Sequence, residues 1–158
     1  MTEQDKQFMQ AAIQLAEKGV ATNSGGPFGA IVVKDGEIIG EGYNSVTSLN
    51  DPTAHAEIIA IRNACKKLNS FQLEECTIYT SCEPCPMCLG AIYWARPKKV
   101  FYAGTKTDAA AFGFDDQFIY DELEHDINHR KIVFENISRE KAIPVFKKWE
   151  AKSDKTEY

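Results

Sequence analysis

Residues 75–103 read ECTIYTSCEPCPMCLGAIYWARPKKVFYA, and the order of their β-forming and helix-forming stretches decides the class of fold. Glu75 to Thr80 is rich in β-formers and predicts a strand; Glu83 to Ala95 reads as a helix, and Lys99 to Ala103 as another strand. Arg96-Pro97 separates the last two, because the residue before a proline is pushed out of the helical region. A crossover helix joins strands that run parallel, so this stretch is the nucleus of an α/β sheet with helices on its faces.

Upstream, Phe28-Gly-Ala-Ile-Val-Val-Lys34 and Glu37-Ile-Ile-Gly-Glu-Gly-Tyr43 flank Asp35-Gly36, which predicts a β-hairpin with a two-residue turn. Met9, Ile13, Ala16 and Val20 recur at helical spacing, and Thr2 with Asp5 marks a helix start before them. Asp51-Pro52-Thr53 predicts the start of a helix that runs to about Leu68. Residues 105–130 carry no clear period. Lys131 to Glu135 predicts a last strand, and a helix past Pro144 carries Val145, Phe146 and Trp149. With no repeat or linker to divide it, the chain is expected to form a single domain over residues 1–158.

The chain has 158 residues, 44% of them apolar, which suffices for one hydrophobic core. Its 18 basic and 23 acidic residues give a net charge of −5, and no basic run exceeds two residues. Nucleic-acid binding rests on neutralising phosphates, so no nucleic-acid partner is expected. No stretch approaches the roughly 20 apolar residues of a membrane span. The opening MTEQDKQFMQ is too polar for a secretory signal, and a cytoplasmic protein with no membrane partner is the expectation. Five cysteines are an odd number, and Cys82, Cys85 and Cys88 cluster within seven positions. That clustering points to metal or thiol chemistry rather than to disulfide staples.

His55-Ala56-Glu57 and Cys82-Glu-Pro-Cys85-Pro-Met-Cys88 both fall at predicted helix starts. Two thiolates and one imidazole make three ligands, the number of a catalytic zinc site, with a fourth corner for water. Bound zinc lowers the pKa of that water from 15.7 to about 7. Residues two apart on a helix lie about 200° apart, so His55 and Glu57 can share a pocket only at a helix end. Glu57 is then placed to carry a proton from the water to a ring nitrogen or leaving group. Spacing leaves the thiolate pair open, since Cys82/Cys85 and Cys85/Cys88 are both Cys-x-x-Cys; position within the elements favours Cys82 with Cys85.

His55-Ala-Glu57 with Pro84-Cys85-x-x-Cys88 resembles the signature of the zinc nucleoside and nucleobase deaminases, H-x-E and P-C-x-x-C. Gly25-Gly-Pro-Phe-Gly-Ala30, Asn50 to Glu57, Ser81 to Pro97 and Gly113-Phe-Asp-Asp116 extend the likeness over nearly the whole chain. Within that family they are most similar to the small bacterial guanine deaminases. The resemblance implies a three-layer α/β/α cytidine deaminase-like fold with a five-stranded mixed sheet flanked by helices. It implies one zinc per subunit on His55, Cys85 and Cys88, which sets aside the Cys82 pairing, with Glu57 as proton carrier. The implied substrate is a small purine base: guanine hydrolysed to xanthine and ammonia. Phe28 is expected to stack on the purine, Asn44 to hydrogen-bond its edge and Asp116 to carry a second proton, with Ala56, Trp94 and Tyr158 as further substrate contacts. A homodimer is implied as well, its C-terminal segment of about residues 131–158 exchanged between subunits.

Each assignment has a plainer counterpart. Asn44 suits a turn, Phe28 a core, Trp94 packing or a dimer interface, Asp116 a solvated loop and Tyr158 a frayed end. Three other functions fit part of the pattern. A thiol redox protein would use Cys85-Pro-Met-Cys88 and leave His55 and Glu57 idle. A structural zinc module would draw on Cys82, Cys85, His125 and His129, but the span between the pairs far exceeds a finger's. Within the deaminases, adenosine in transfer RNA, guanosine and cytosine are the competing substrates.

Overall fold

The computed structural model describes residues 1–158. In chain order the elements are α1 (Glu3–Ala21), β1 (Gly29–Lys34), β2 (Glu37–Tyr43), α2 (Val46–Leu49), α3 (Ala56–Leu68), β3 (Thr77–Cys82), α4 (Pro86–Ala95), β4 (Lys99–Gly104), α5 (Lys106–Ala111), α6 (Gln117–Glu124), a 3-10 turn at Ile127–His129, and α7 (Arg139–Glu150). They fall into two compact units, Met1–Asp116 and Gln117–Tyr158.

The first unit is built on one mixed sheet of order β2-β1-β3-β4. β1 runs antiparallel to β2 and to β3, while β3 and β4, joined through α4, run parallel. The hairpin turn is the expected one: Asp35 (φ 50) and Gly36 (φ 80) both sit in the left-handed region that such a turn requires. Alternate residues of the strands feed opposite faces. Ala30, Val32 and Ile78 pack against Ala56, Ala60 and Ala64 of α3 and Ile92 and Ala95 of α4. Ile31, Val33 and Tyr79 pack against Ala12 of α1 on the other face. Helices thus cover both faces of the sheet, in three layers.

The sheet has four strands, not the five expected. Lys131 to Glu135 forms none. Its β-branched and aromatic side chains suit a pleated surface, but a strand exists only where another backbone pairs with it, and no strand of the sheet does.

α1 opens on the predicted Thr2/Asp5 capping box, and Asp5 also accepts a 2.7 Å hydrogen bond from the Tyr79 hydroxyl in the sheet. Its packed face is rotated from the expected one: Ala12, Ala16 and Gly19 are buried while Val20 is 50% exposed. The helix turns its small residues inward, which brings its axis close to β1. α3 lies as close to β2 as α1 does to β1. A Cβ at Gly42 would meet the carbonyl oxygen of Ala56 and lie 2.7 Å from the amide nitrogen of Ala60, so only glycine fits there. β2 is an edge strand, and two α3 side chains reach its backbone: Asn63 Nδ2 donates to the Glu41 carbonyl (2.9 Å) and Lys67 Nζ to that of Ile38 (3.3 Å).

In the second unit α7 starts at Arg139 and carries Pro144 inside it, where the sequence predicted a helix only past that proline. Proline's fixed φ is itself helical, and its missing N–H removes one backbone hydrogen bond without ending the helix. No residue from 117 to 158 is buried.

Candidate active site

The Asp51-Pro52-Thr53 segment does not begin α3. The Asp51 carboxylate accepts from the Thr53 amide (2.8 Å) and hydroxyl (2.7 Å), a tight turn that delivers His55 as the N-cap. His55 is extended (φ −71, ψ 155), outside the helix proper, and Glu57 is the second residue of α3. The angular objection to their sharing a pocket therefore does not arise. α4 repeats the device, with Cys85 as an extended N-cap (φ −65, ψ 167), Pro86 in the first helical position and Cys88 one turn on.

Both helix starts meet at one point. His55 Nδ1 lies 3.5 Å from Cys85 Sγ and 3.6 Å from Cys88 Sγ, and the three donor atoms fall within 4.8 Å of one another. Zinc bound tetrahedrally, about 2.3 Å from sulfur and about 2.0 Å from nitrogen, requires nitrogen–sulfur edges of about 3.5 Å, so the donors fit the ion in type and spacing. Cys82 stands apart from this set, its thiol directed at the Thr105 carbonyl (3.6 Å). The reading that pairs it with Cys85 on position alone is corrected: Cys82, the last residue of β3, lines the cavity but lies outside the donor set, whereas residues 85 and 88 are one helical turn apart on a common side. His125 and His129, in the second unit, take no part in the donor set.

The electrostatics follow from burial and proximity. The hydrogen bond with Cys88 holds the Cys85 thiol down at about 4, against the effect of burial and with help from His55. The same bond, together with burial, pushes Cys88 up. His55 is raised chiefly by its bond to Cys85, and burial raises Glu57. That carboxyl is 6% exposed, with Oε2 3.4 Å from Cys88 Sγ and Oε1 3.2 Å from the hydroxyl of Thr80 on β3.

A cavity of about 320 Å³ opens over this floor. Phe28, Asn44, His55, Glu57, Cys85 and Asp116 all line it, so the structure brings these expected residues together. Asn44 Oδ1 accepts from the amides of Gly26 (3.1 Å) and Val46 (3.3 Å), which fixes the carboxamide and leaves its NH2 as the donor for a ligand. Burial pushes the Asp116 carboxyl up, reinforced by the Cys85 charge. Two expected contacts of the first unit, Ala56 and Trp94, do not join this lining. Ala56 is wholly buried in the core and can offer only its backbone N–H, at the first position of α3. Trp94 is 64% exposed on α4. Tyr158 ends the second unit, 70% exposed.

Phe114 and Thr80 went unassigned in the sequence. Phe114 packs edge-on against Phe28 (4.9 Å between centroids, 87° between planes) and forms a second aromatic wall. It sits in the one stretch without periodicity, and its only signal is its place two residues before Asp116. Thr80 alternates with core residues of β3, so nothing in its neighbours separates it from an ordinary strand threonine.

The model of the family described as the cytidine and deoxycytidylate deaminase zinc-binding region matches residues 2–104. Guanine deaminase of Bacillus subtilis is 56% identical over 151 residues, covering 96% of this chain and 97% of that protein. A crystal structure of guanine deaminase from Bacillus subtilis superposes with a TM-score of 0.95 at 54% identity, covering 100% of this chain and 99% of that one. A tRNA-specific adenosine deaminase of Haemophilus influenzae is 40% identical, over 78% of this chain and 74% of its own. On the family match over residues 2–104 and on these identities, the chain belongs to the zinc-binding cytidine and deoxycytidylate deaminase family.

Proposed function

We propose that the protein deaminates guanine hydrolytically, releasing xanthine and ammonia. The observation that carries this reading is the buried Glu57 carboxylate beside the His55/Cys85/Cys88 donor set, at the floor of a largely apolar cavity. Near full-length similarity to a guanine deaminase supplies the base. His55, Cys85 and Cys88 would hold the zinc, which would supply an activated water with its pKa lowered to about 7.

The chain's own groups do the rest. Phe28 and Phe114 receive the flat purine, and Asn44 donates to an acceptor on its edge. Glu57 takes a proton from the water that adds to C2 and returns it to the neighbouring ring nitrogen. Asp116 protonates the 2-amino group as the C2–N bond breaks and ammonia leaves, and the proton of the added hydroxyl returns to Asp116, so that the oxygen stays as the C2 carbonyl of xanthine. The apolar walls limit bulk water around these transfers.

We further assign one zinc per subunit, action within the cytoplasm in purine salvage or catabolism, and a homodimer. Five free cysteines suit a reducing compartment. The absence of any buried residue from 117 to 158, with Ile132, Val133, Ile137 and Phe146 all exposed, supports an exchanged C-terminal segment packing on a second copy and bringing Tyr158 to its pocket. The test is ammonia release from guanine, guanosine, adenine, cytosine and a tRNA anticodon stem by zinc-analysed protein. Guanine is expected to be the substrate; turnover of the tRNA with none of guanine would overturn the assignment, and the net charge of −5 argues against that outcome.

A further inference from the structure

Glu57 cannot do its work by proximity alone. A glutamate side chain has three rotatable bonds, and a carboxyl that must pass a proton between fixed atoms needs its oxygens held. Two side chains touch it: Cys88 at Oε2 and Thr80 at Oε1. Cys88 serves as a metal ligand when zinc is bound, and a thiolate has no hydrogen to donate. Thr80 is then the side-chain donor that remains.

Its setting suits that task. Thr80 lies in β3, the central partner of β1 and β4, and is 1% exposed. Its backbone is locked by pairing with Ala30 on one side and Tyr102 on the other. Being β-branched, its side chain is stiff about χ1. The hydroxyl stands 3.2 Å from Glu57 Oε1 and 3.0 Å from the Cys82 carbonyl oxygen, its single hydrogen shared between these two acceptors, so the side chain is anchored at the strand end from which the loop to Cys85 departs. Glu57 is carried by α3 and the thiol ligands by α4, and Thr80 is the point in the sheet that ties the first to the strand leading to the second.

We propose that Thr80 is a positioning residue for the deamination: its hydroxyl pins Glu57 Oε1 to the sheet so that Oε2 faces the metal-binding donors and the reacting base. The inference rests on the guanine deaminase reading for its kinetic test, but not for its structural one. It predicts that Thr80→Val, which keeps the shape and loses the hydroxyl, lowers kcat about tenfold or more with KM for guanine and zinc content unchanged. Thr80→Ser and Thr80→Ala both lose the buried methyl and differ from each other only in the hydroxyl, so they isolate its effect if the valine variant folds poorly. Serine is expected to keep kcat within about threefold and alanine to fall as valine does. Equal kcat in the serine and alanine variants overturns the proposal, as does wild-type kcat in the valine variant. Crystals of zinc-loaded wild-type and Thr80→Val protein, in which Cys88 has no hydrogen to offer, give the second readout. A Glu57 carboxyl swung away from β3 supports the proposal, and an unmoved one overturns it, whichever base the enzyme turns over.

Discussion

At the scale of the residue, the site depends on groups whose work is separable. Glu57 lies next to the donor set but is not of it, so Glu57→Gln is expected to retain zinc while losing turnover by about 10²–10⁴-fold. Metal analysis alongside the ammonia assay checks both halves, and a glutamine variant with more than a tenth of wild-type kcat would remove Glu57 from its role. His55, Glu57 and Cys85 were legible because few functions want an imidazole, a carboxyl and a thiolate at two helix starts. The choice of Cys88 over Cys82 was not. It depends on Cys85 being an N-cap, which sets residue 88 one turn along the same side, and local spacing is identical for both pairs. Trp94 was less legible: a large aromatic in a helix beside the metal motif suits a pocket, packing or an interface alike, and in this chain it stands 64% exposed on α4.

Among the elements, α3 matters most, because His55 is its N-cap and Glu57 its second residue. Gly42→Ala would drive a methyl into its first turn, at the Ala56 carbonyl and the Ala60 amide. Overpacking of this kind costs about 1–3 kcal/mol, so the variant is expected to melt earlier and to bind zinc less tightly, measured by calorimetry and chelator competition. α1 is fastened differently. The Thr2 backbone bond, aided by the Tyr79 hydroxyl, lowers the Asp5 carboxyl from 3.8 to about 2. A depressed carboxyl contributes stability above its unfolded value that is lost as pH falls toward the folded one. Asp5→Asn is therefore expected to be less stable at neutral pH and to lose less than wild type between pH 4 and 2, a difference that acid titrations of the melting temperature would reveal. The hairpin, the βαβ segment and the start of α1 were readable in advance because each is written in local chemistry: a turn pair, a proline break, a capping box. The rotated face of α1 was not, since small residues at Ala12 and Gly19 carry no hydrophobic signal and gain their meaning only from how close the sheet lies.

For the molecule as a whole, the sequence predicted five strands, and the sheet has four. The residues from Lys131 to Glu135 have the right side chains, but no backbone edge in the sheet takes them up, and sequence patterns do not state which chain an apolar segment will pack against. The exchanged-dimer reading makes this concrete. Light scattering is expected to give a dimer for the full chain, and removal of residues 131–158 to abolish both dimer and turnover; a fully active, monomeric truncation would refute the exchange. The capping of Glu41 and Ile38 carbonyls by Asn63 and Lys67 then has a consequence for assembly. With the β2 flank occupied by the protein's own side chains, sheet growth is confined to the flank beyond β4. A sheet extendable on one flank can take up one further strand edge and stop, whereas fibres built by strand addition need subunits that extend at both, so stacking of this sheet into a continuous fibre is disfavoured.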